Sequence, residues 1–298
     1  MFRTIIVPLD GSPFAEQALP VAIELARRSE AQLTVARVHQ PPVMALSRSY
    51  EWDTEIRQRE SHYLNDVALR SHDSLGAVPD VRLLDGHAPD AICRAAQESE
   101  APLIVMSSHG LTGFSRYWIG SVTDAVIRQA HTPVLMIRAR EAGEAPPTPA
   151  IHRILVPLDG SPIAETILPH ALSIAKATGA TIELFRVVAP TEVPEVPWKL
   201  EENASGAVLR ESEAELRAAA DRLGDAASGC RIEVKVSLSS AAASTISAHA
   251  RARNCELVAM TTTAAGLARL VGSVADKVIR DGPPMVLLVR PPAAERTG

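Results

Sequence analysis

IIVPLDGSPFAEQALPVA, residues 5–22, recurs as ILVPLDGSPIAETILPHA at residues 154–171. A second match joins the far ends, where GSVTDAVIRQAHTPVLMIR (120–138) is echoed by GSVADKVIRDGPPMVLLVR (272–290). Two matched ends of a unit of about 140 residues indicate a duplicated domain and not a short-period solenoid. Between the copies, AREAGEAPPTPA (139–150) has the composition of a linker. We therefore expect two domains, at residues 1–140 and 151–298.

Within the first copy, strand-like and helix-like patterns alternate. TIIVPL (4–9) is a short, apolar run typical of a buried strand. Ser12 as N-cap and Pro13 as first helical residue predict a helix from there to about Arg28, kinked at Pro20. Further strands are predicted at 31–39, 81–84, 102–106 and 132–138, and further helices at 52–72, 90–99 and 121–130. This alternation predicts right-handed crossovers and a parallel sheet covered on both faces.

The composition indicates a globular chain. It has 298 residues, 46% hydrophobic and 22% charged, and only 3% aromatic, so its cores must consist of Val, Ile, Leu and Ala. A net charge of −5 argues against a nucleic-acid binder. Three widely spaced cysteines favour a reducing compartment. Without a signal-peptide pattern or an apolar run long enough to span a bilayer, we expect a cytoplasmic protein that does not bind membranes.

The segment MSSHGLTGFSRYWIGSV (106–122) joins a predicted strand to a predicted helix through a loop with three glycines. Such a loop, with the free N–H groups of the following helix, can hold a phosphate. The pattern alone fits equally well a glycine turn before a Ser-capped helix. The carboxyl ends of parallel strands share one edge of the sheet, which brings Asp10 close to this loop. That juxtaposition favours a nucleotide site.

Taken together, IIVPLDGS, the SSHG loop and the terminal GSVTDAVIRQAHTPVLMIR resemble the universal stress protein family in its tandem form. The resemblance covers both halves. It implies two Rossmann-like α/β domains, each a five-stranded parallel sheet of order 3-2-1-4-5 flanked by helices. It also implies that the terminal strands TPVLMIR and PMVLLVR pair the two halves as an intrachain pseudo-dimer, and it leaves room for a homodimer.

The same resemblance implies an ATP site, with Mg²⁺ as an ion that the nucleotide could recruit. The family motif is Gly-x-x-Gly, nine residues, then Gly-Ser or Gly-Thr, and this chain has Ser107-x-x-Gly110, residues 111–119, then Gly120-Ser121. By this matching, adenine and ribose contact Pro8, Asp10 and Val38, and the phosphate loop includes Ser107, Gly110, Gly120 and Ser121. His109 and Val122 lie beside the loop and would contribute their backbones.

Two departures from the motif bear on this site. Ser107 replaces the first glycine, and a left-handed φ there would cost about 1–2 kcal/mol. In the second half the loop TTTAAGLARLVGSV (261–274) is two residues shorter and has lost both leading glycines. Only part of the second site is retained, and its matched residues are Pro157, Asp159, Val187, Gly272 and Ser273. We therefore expect the first half to hold the nucleotide.

Catalysis has little support in the sequence. There is no GxxxxGK[ST] motif, and His109 has no evident partner for acid–base chemistry. The prediction is an ATP-binding regulatory factor of the stress response, not an enzyme. A nucleotide-free interaction scaffold with decayed sites and a slow ATPase are the alternatives.

Overall fold

The computed structural model describes residues 1–40, 50–109, 119–140, 149–190, 201–262 and 273–291. The chain divides into two compact units, Met1–Ala150 and Ile151–Gly298.

The first unit alternates strands and helices along its whole length. Its elements are β1 (Thr4–Pro8), α1 (Pro13–Glu16), α2 (Leu19–Ser29), β2 (Gln32–His39), α3 (Tyr50–Leu75), β3 (Asp80–Asp85), α4 (Ala88–Gln97), β4 (Pro102–Ser107), α5 (Ser121–Gln129) and β5 (Val134–Ile137). The strands lie in the order β3-β2-β1-β4-β5, and their pairings are parallel. The predicted fold class and strand order are confirmed for this unit.

The sheet core is aliphatic, as the shortage of aromatic residues requires. The central strands β1 and β4 carry wholly buried Ile5, Ile6, Leu103 and Ile104. Helix α2 packs against α3, and α4 packs against α5, so both pairs bury their apolar faces against the sheet. This arrangement leaves the carboxyl ends of β1, β2 and β4 along one edge, where a doubly wound sheet binds ligands.

The single helix predicted over 13–28 is wrong. The chain forms α1, is interrupted at Gln17 and Ala18, and restarts as α2. Pro20 therefore lies in the first turn of α2, where its missing N–H costs no helical hydrogen bond. The interruption also directs the Gln17 amide at the backbone of Arg140, with Nε2 donating to the carbonyl at 2.9 Å and Oε1 accepting from the N–H at 2.8 Å.

The second unit repeats this architecture. Its elements are β6 (Arg153–Pro157), α6 (Pro162–Glu165), α7 (Leu168–Thr178), β7 (Thr181–Val188), α8 (Glu201–Arg222), a 3₁₀ turn (Gly224–Ala227), β8 (Ile232–Leu238), α9 (Ala242–Ala252), β9 (Leu257–Thr261), α10 (Ser273–Asp281) and β10 (Met285–Val289). The strand order is again β8-β7-β6-β9-β10, with parallel pairings. Pro169 occupies the first turn of α7, as Pro20 does in α2.

Candidate functional site

A cavity of about 430 Å³ lies in the first unit at the carboxyl ends of β1, β2 and β4. Its size is that of a small-molecule site. Among its lining residues are all the described residues that the sequence singled out in this half: Pro8, Asp10, Val38, Ser107, His109, Gly120, Ser121 and Val122. Gly110, the remaining predicted residue of this half, lies outside the described part of the chain. Four separate stretches of sequence thus meet at one place.

Asp10 forms the wall at the end of β1 and also shapes the turn that follows. Its Oδ1 accepts the N–H of Ser12 at 2.9 Å, and Gly11 between them has a φ of 87°. The Ser12 hydroxyl in turn accepts the N–H of Ala15 at 3.1 Å and caps α1. The half-buried Asp10 therefore has the turn role that Asp-Gly pairs commonly have, and it lines the cavity as well.

Ser107 ends β4 without backbone strain. The non-glycine residues with positive φ in the described chain are Glu30, Ala101 and Asn254, so Ser107 does not incur the strain considered above. Its carbonyl accepts the hydroxyl of Thr123 at 2.9 Å. The N–H of Gly120 donates to the carbonyl of Ser108 at 2.7 Å. These two bonds fix the start of α5 beside the end of β4.

Helix α5 presents its N-terminus to the cavity. Gly120, with φ −57° and ψ 145°, is the N-cap, and no side chain caps this helix, so the alternative of a Ser-capped helix is wrong. The first intrahelical bond runs from the N–H of Asp124 to the carbonyl of Gly120. The N–H groups of the first turn therefore lack partners within the helix, and together with the helix dipole they favour an anion.

His109 contributes more than its backbone. Its Nδ1 lies 2.9 Å from the hydroxyl oxygen of Ser108, and that oxygen accepts the N–H of Ala139 at 3.0 Å. The backbone N–H of His109 also makes a long contact, 3.5 Å, with the Ser107 hydroxyl. The imidazole is thus held at the cavity wall by buried Ser108.

Sequence reasoning missed two charged residues of the cavity, Arg37 and Glu60. The Nε of Arg37 lies 3.2 Å from Oε1 of Glu60. One signal was available, because Arg37 and His39 are two residues apart near the end of one strand and must share a face. Glu60, in contrast, is one of many charged residues on α3, and nothing local marks it. The other missed lining residues are Leu9, Ala15, Gln40, Ala88, Ile92, Met106 and Thr123.

Behind the cavity, Glu60 is part of a longer chain of charges. Its Oε2 lies 2.7 Å from Nδ1 of His39, whose Nε2 lies 2.9 Å from Oδ1 of Asp53. Arg57 bridges Asp53 and Asp85. The hydrogen bonds from Arg57 hold the pKa of both aspartates below the usual range.

Tyr63 covers the other side of Arg37. The guanidinium carbon lies 5.5 Å from the centre of the phenol ring, within the range of a cation–π contact. The Tyr63 hydroxyl donates to Glu16 at 3.0 Å. Burial, followed by the charge of Glu16, raises the pKa of Tyr63, so the phenol stays a neutral donor.

In the second unit, three of the five predicted site residues have a side chain that the structure describes. Pro157 ends β6 and Val187 lies next to the end of β7. Exposed Asp159 accepts the N–H of Ser161 at 2.9 Å and its hydroxyl at 2.6 Å, which is a turn role. Gly272 lies outside the described residues, and Ser273 is described only as the first residue of α10.

In the part of the chain that the structure describes, no helix is both long and apolar enough to cross a membrane.

Comparison with known proteins agrees with this architecture. The model of the universal stress protein family matches twice, at residues 1–138 and 150–290. A universal stress protein of Methanocaldococcus jannaschii is 28% identical over 46% of this chain and 83% of its own length. A Staphylococcus epidermidis relative, named for the same family, is 29% identical over 48% of this chain and 88% of its own.

Among solved structures, a universal stress protein from Archaeoglobus fulgidus superposes with a TM-score of 0.69 at 20% identity, covering 96% of this chain and 98% of its own. At that identity the likeness shows the fold alone. The two family matches together span nearly the whole sequence. The chain therefore belongs to the universal stress protein family and carries two of its domains in tandem.

Proposed function

We propose that the first domain binds an adenine nucleotide, ATP foremost, and that the protein is a regulatory stress-response factor. One observation carries the proposal: eight residues predicted from distant parts of the sequence line a single cavity of about 430 Å³. The cavity lies where a doubly wound sheet binds its ligands.

The walls of the cavity suit the parts of a nucleotide. Pro8, Val38 and Ile92 offer apolar surface for a base. Asp10 offers carboxylate oxygen to ribose hydroxyl groups. The uncapped N-terminus of α5, with Ser121 exposed in its first turn, offers N–H groups to phosphates. Mg²⁺ enters the proposal only as the ion that accompanies those phosphates.

Several finer predictions accompany this proposal. The cysteine spacing favours a cytosolic location. The resemblance implies that the two halves form a pseudo-dimer, and it is compatible with a homodimer of the whole chain. A nucleotide-free scaffold and a slow ATPase remain the competing functions, and the same experiment separates them.

The test compares Gly120→Val with Gly272→Val in the full chain. Gly120 has a negative φ that valine adopts without strain, and it lines the cavity, so the variant adds a side chain to the site without requiring an unfavourable φ. Nucleotide released on denaturation is quantified, and Mg-ATP is titrated into nucleotide-free protein. We expect one adenine nucleotide per chain, lost in Gly120→Val and kept in Gly272→Val.

Each competing function predicts a different result. Unchanged affinity in Gly120→Val would show that the site is misassigned. A wild-type chain that neither releases nor binds nucleotide would favour the scaffold. Multiple turnovers of ADP that disappear in Gly120→Val would favour the slow ATPase.

A further inference from the structure

His39 lies behind the candidate site and bonds to a carboxylate on each side. Its side chain is only 1% exposed. Nδ1 is 2.7 Å from Glu60 and Nε2 is 2.9 Å from Asp53. A neutral imidazole has one N–H donor and one acceptor nitrogen, whereas ionised carboxylates only accept. If both carboxylates are ionised, the ring can make both hydrogen bonds only by donating from each nitrogen, so this geometry favours an imidazolium ion at His39.

With His39 charged, the side chains around it alternate in sign. The order is Arg37, Glu60, His39, Asp53, Arg57 and Asp85. These charged groups reach His39 from its own strand β2, from α3 and from β3, while Arg94 on α4 donates to the carbonyl of Asp85 at 3.0 Å. The six side chains sum to zero charge. Loss of the His39 proton would leave two carboxylates facing one donor.

Glu60 connects this chain to the cavity. One of its oxygens bonds to His39 and the other to Arg37, and both Glu60 and Arg37 line the cavity. Arg37 in turn packs against the turn that carries Asp10: a Cβ on Gly11 would lie 2.4 Å from its Nη1. The position of Arg37 thus depends on Glu60, and that of Glu60 on His39.

We propose that His39 is a positioning residue for the nucleotide site of the first domain. Its imidazolium fixes Glu60, and Glu60 holds Arg37 against the turn at Gly11, so nucleotide affinity falls when His39 loses its charge. This inference rests on the proposed function.

The second domain provides an internal comparison. Arg186 corresponds to Arg37 and also packs against a glycine, with Nη1 3.0 Å from a Cβ on Gly160. Its partner is Glu215, and Val188 takes the position of His39. The contact between arginine and glycine is therefore common to both domains. The link through an imidazolium is found in the first domain, whose glycine loop keeps more of the family motif than the loop of the second domain does.

The test titrates Mg-ATP into wild-type protein and His39→Gln from about pH 6 to about pH 9, where histidine can lose its proton. His62→Gln is the matched control, because His62 is exposed on the same helix as Glu60. We expect wild-type affinity to fall as the pH rises. His39→Gln should bind about tenfold more weakly at low pH and lack the pH dependence. His62→Gln should follow the wild type.

A second variant and a measurement without ligand distinguish the loss of this contact from misfolding of His39→Gln. Asp53→Asn removes one carboxylate outside the cavity lining and should also weaken binding and reduce its pH dependence. Ring ¹⁵N shifts of His39 near pH 6 should show both nitrogens protonated.

The outcomes separate the two proposals. If wild-type protein does not bind ATP, the proposed function is wrong and this inference falls with it. If wild-type protein binds ATP, but folded His39→Gln and Asp53→Asn bind equally well at every pH, only this inference is wrong. A neutral His39 ring near pH 6 would also overturn it.

Discussion

Gly11 combines a positive φ with direct contact to a side chain of the candidate site. Its φ of 87° is unfavourable for other residues, and Gly76, with φ 81°, shares this property. Gly76 has nothing within 4 Å of a Cβ, whereas Gly11 faces Arg37. Because Arg37 ends in a flexible guanidinium, the added Cβ displaces that group and leaves the main chain in place.

We therefore predict that Gly11→Ala and Gly76→Ala each lower the free energy of unfolding by about 1–2 kcal/mol. Only Gly11→Ala should also weaken ATP binding, because only it moves Arg37. Urea unfolding and ATP titration of both variants measure the two effects. Equal ATP affinities would mean that the position of Arg37 does not matter for binding.

Among the described residues of the second domain, Glu183 is the most buried carboxylate, with its side chain 2% exposed. Its oxygens contact His249 at 2.5 Å, Arg153 at 3.0 Å and Arg253 at 3.2 Å. The His249 ring also stacks on Phe185 at 4.2 Å between centroids. Burial alone would raise the pKa of Glu183, but the hydrogen bonds from His249 and Arg253 lower it overall.

A lowered pKa means that the folded state favours ionised Glu183, so its contribution to stability is full above the unfolded pKa, about 4.3. That contribution is lost as the pH falls through the lower pKa of the folded state. Glu183→Gln should cost about 2 kcal/mol at neutral pH, because it removes the carboxylate that His249, Arg153 and Arg253 share and leaves Glu233 to pair with both arginines. It should also make acid destabilisation shallower.

The melting temperatures of wild type and Glu183→Gln, measured from neutral to acidic pH, test this prediction. Glu213→Gln is the control, because its pair with Arg217 is a surface pair within one helix, worth about 0.5 kcal/mol or less. An acid profile of Glu183→Gln parallel to that of the wild type would exclude Glu183 as a source of the pH dependence.

At the scale of elements, the repeat exposes one local difference in how a helix ends. The C-cap residue of α2 is Glu30, with φ 54°, and that of the equivalent α7 is Gly179, with φ 75°. Both N–H groups bond back into their helices. Only glycine adopts this conformation without steric cost. The first domain therefore carries a strain that the second avoids.

Glu30→Gly should stabilise the first domain by about 0.5–1 kcal/mol, and Gly179→Ala should destabilise the second by about 1 kcal/mol. A Cβ on Gly179 meets nothing within 4 Å, so that change tests backbone conformation alone. Denaturant unfolding of each variant measures these two changes in the free energy of unfolding. A destabilised Glu30→Gly would indicate that the side chain of Glu30 contributes more than its backbone costs.

Element positions were predictable where the pattern was local. The strands agree with their predicted ranges to within a few residues, because short apolar runs between polar breaks are strong local signals. The interruption before Pro20 was missed, since a proline fits both the first turn of a helix and a kink within one. Gln17 bonding to Arg140, 123 positions away, is a tertiary contact that no local pattern contains.

The residues of the candidate site likewise divide into those that the sequence predicted and those that it missed. Asp10 and the loop over residues 107–121 were predicted to lie together because both follow strands at one edge of a parallel sheet. Pro8 and Ser121 were named through the family resemblance. Glu60 was missed because its partners are 21 and 23 residues away on another element. The strain considered at Ser107 did not arise, because φ depends on how the strand ends and not on the motif.

At the scale of the whole molecule, one architecture is used twice with unequal sites. Both domains keep the parallel sheet, the interrupted first helix and the arginine against a glycine. The second lacks the leading glycines of the loop and the histidine between two carboxylates. The first domain, in which we propose the nucleotide site, is thus the one that keeps more of these features.

If the first domain binds ATP more tightly than the second, ATP should stabilise the first domain more. A ligand that binds only the folded state adds about 2.7 kcal/mol when its concentration is a hundred times Kd. Each domain is a compact unit with its own buried core, so we expect two transitions in calorimetry. Mg-ATP should raise one by roughly 5–10 °C and leave the other unchanged.

Variants identify which transition responds. Glu183→Gln lowers the transition of the second domain and so labels it. Gly120→Val should abolish the shift with ATP, and Gly272→Val should preserve it. If ATP raises the transition labelled by Glu183→Gln, the second domain binds nucleotide despite its shortened loop. The uncapped start of a helix at the sheet edge would then be sufficient for binding, and the leading glycines would set only its strength.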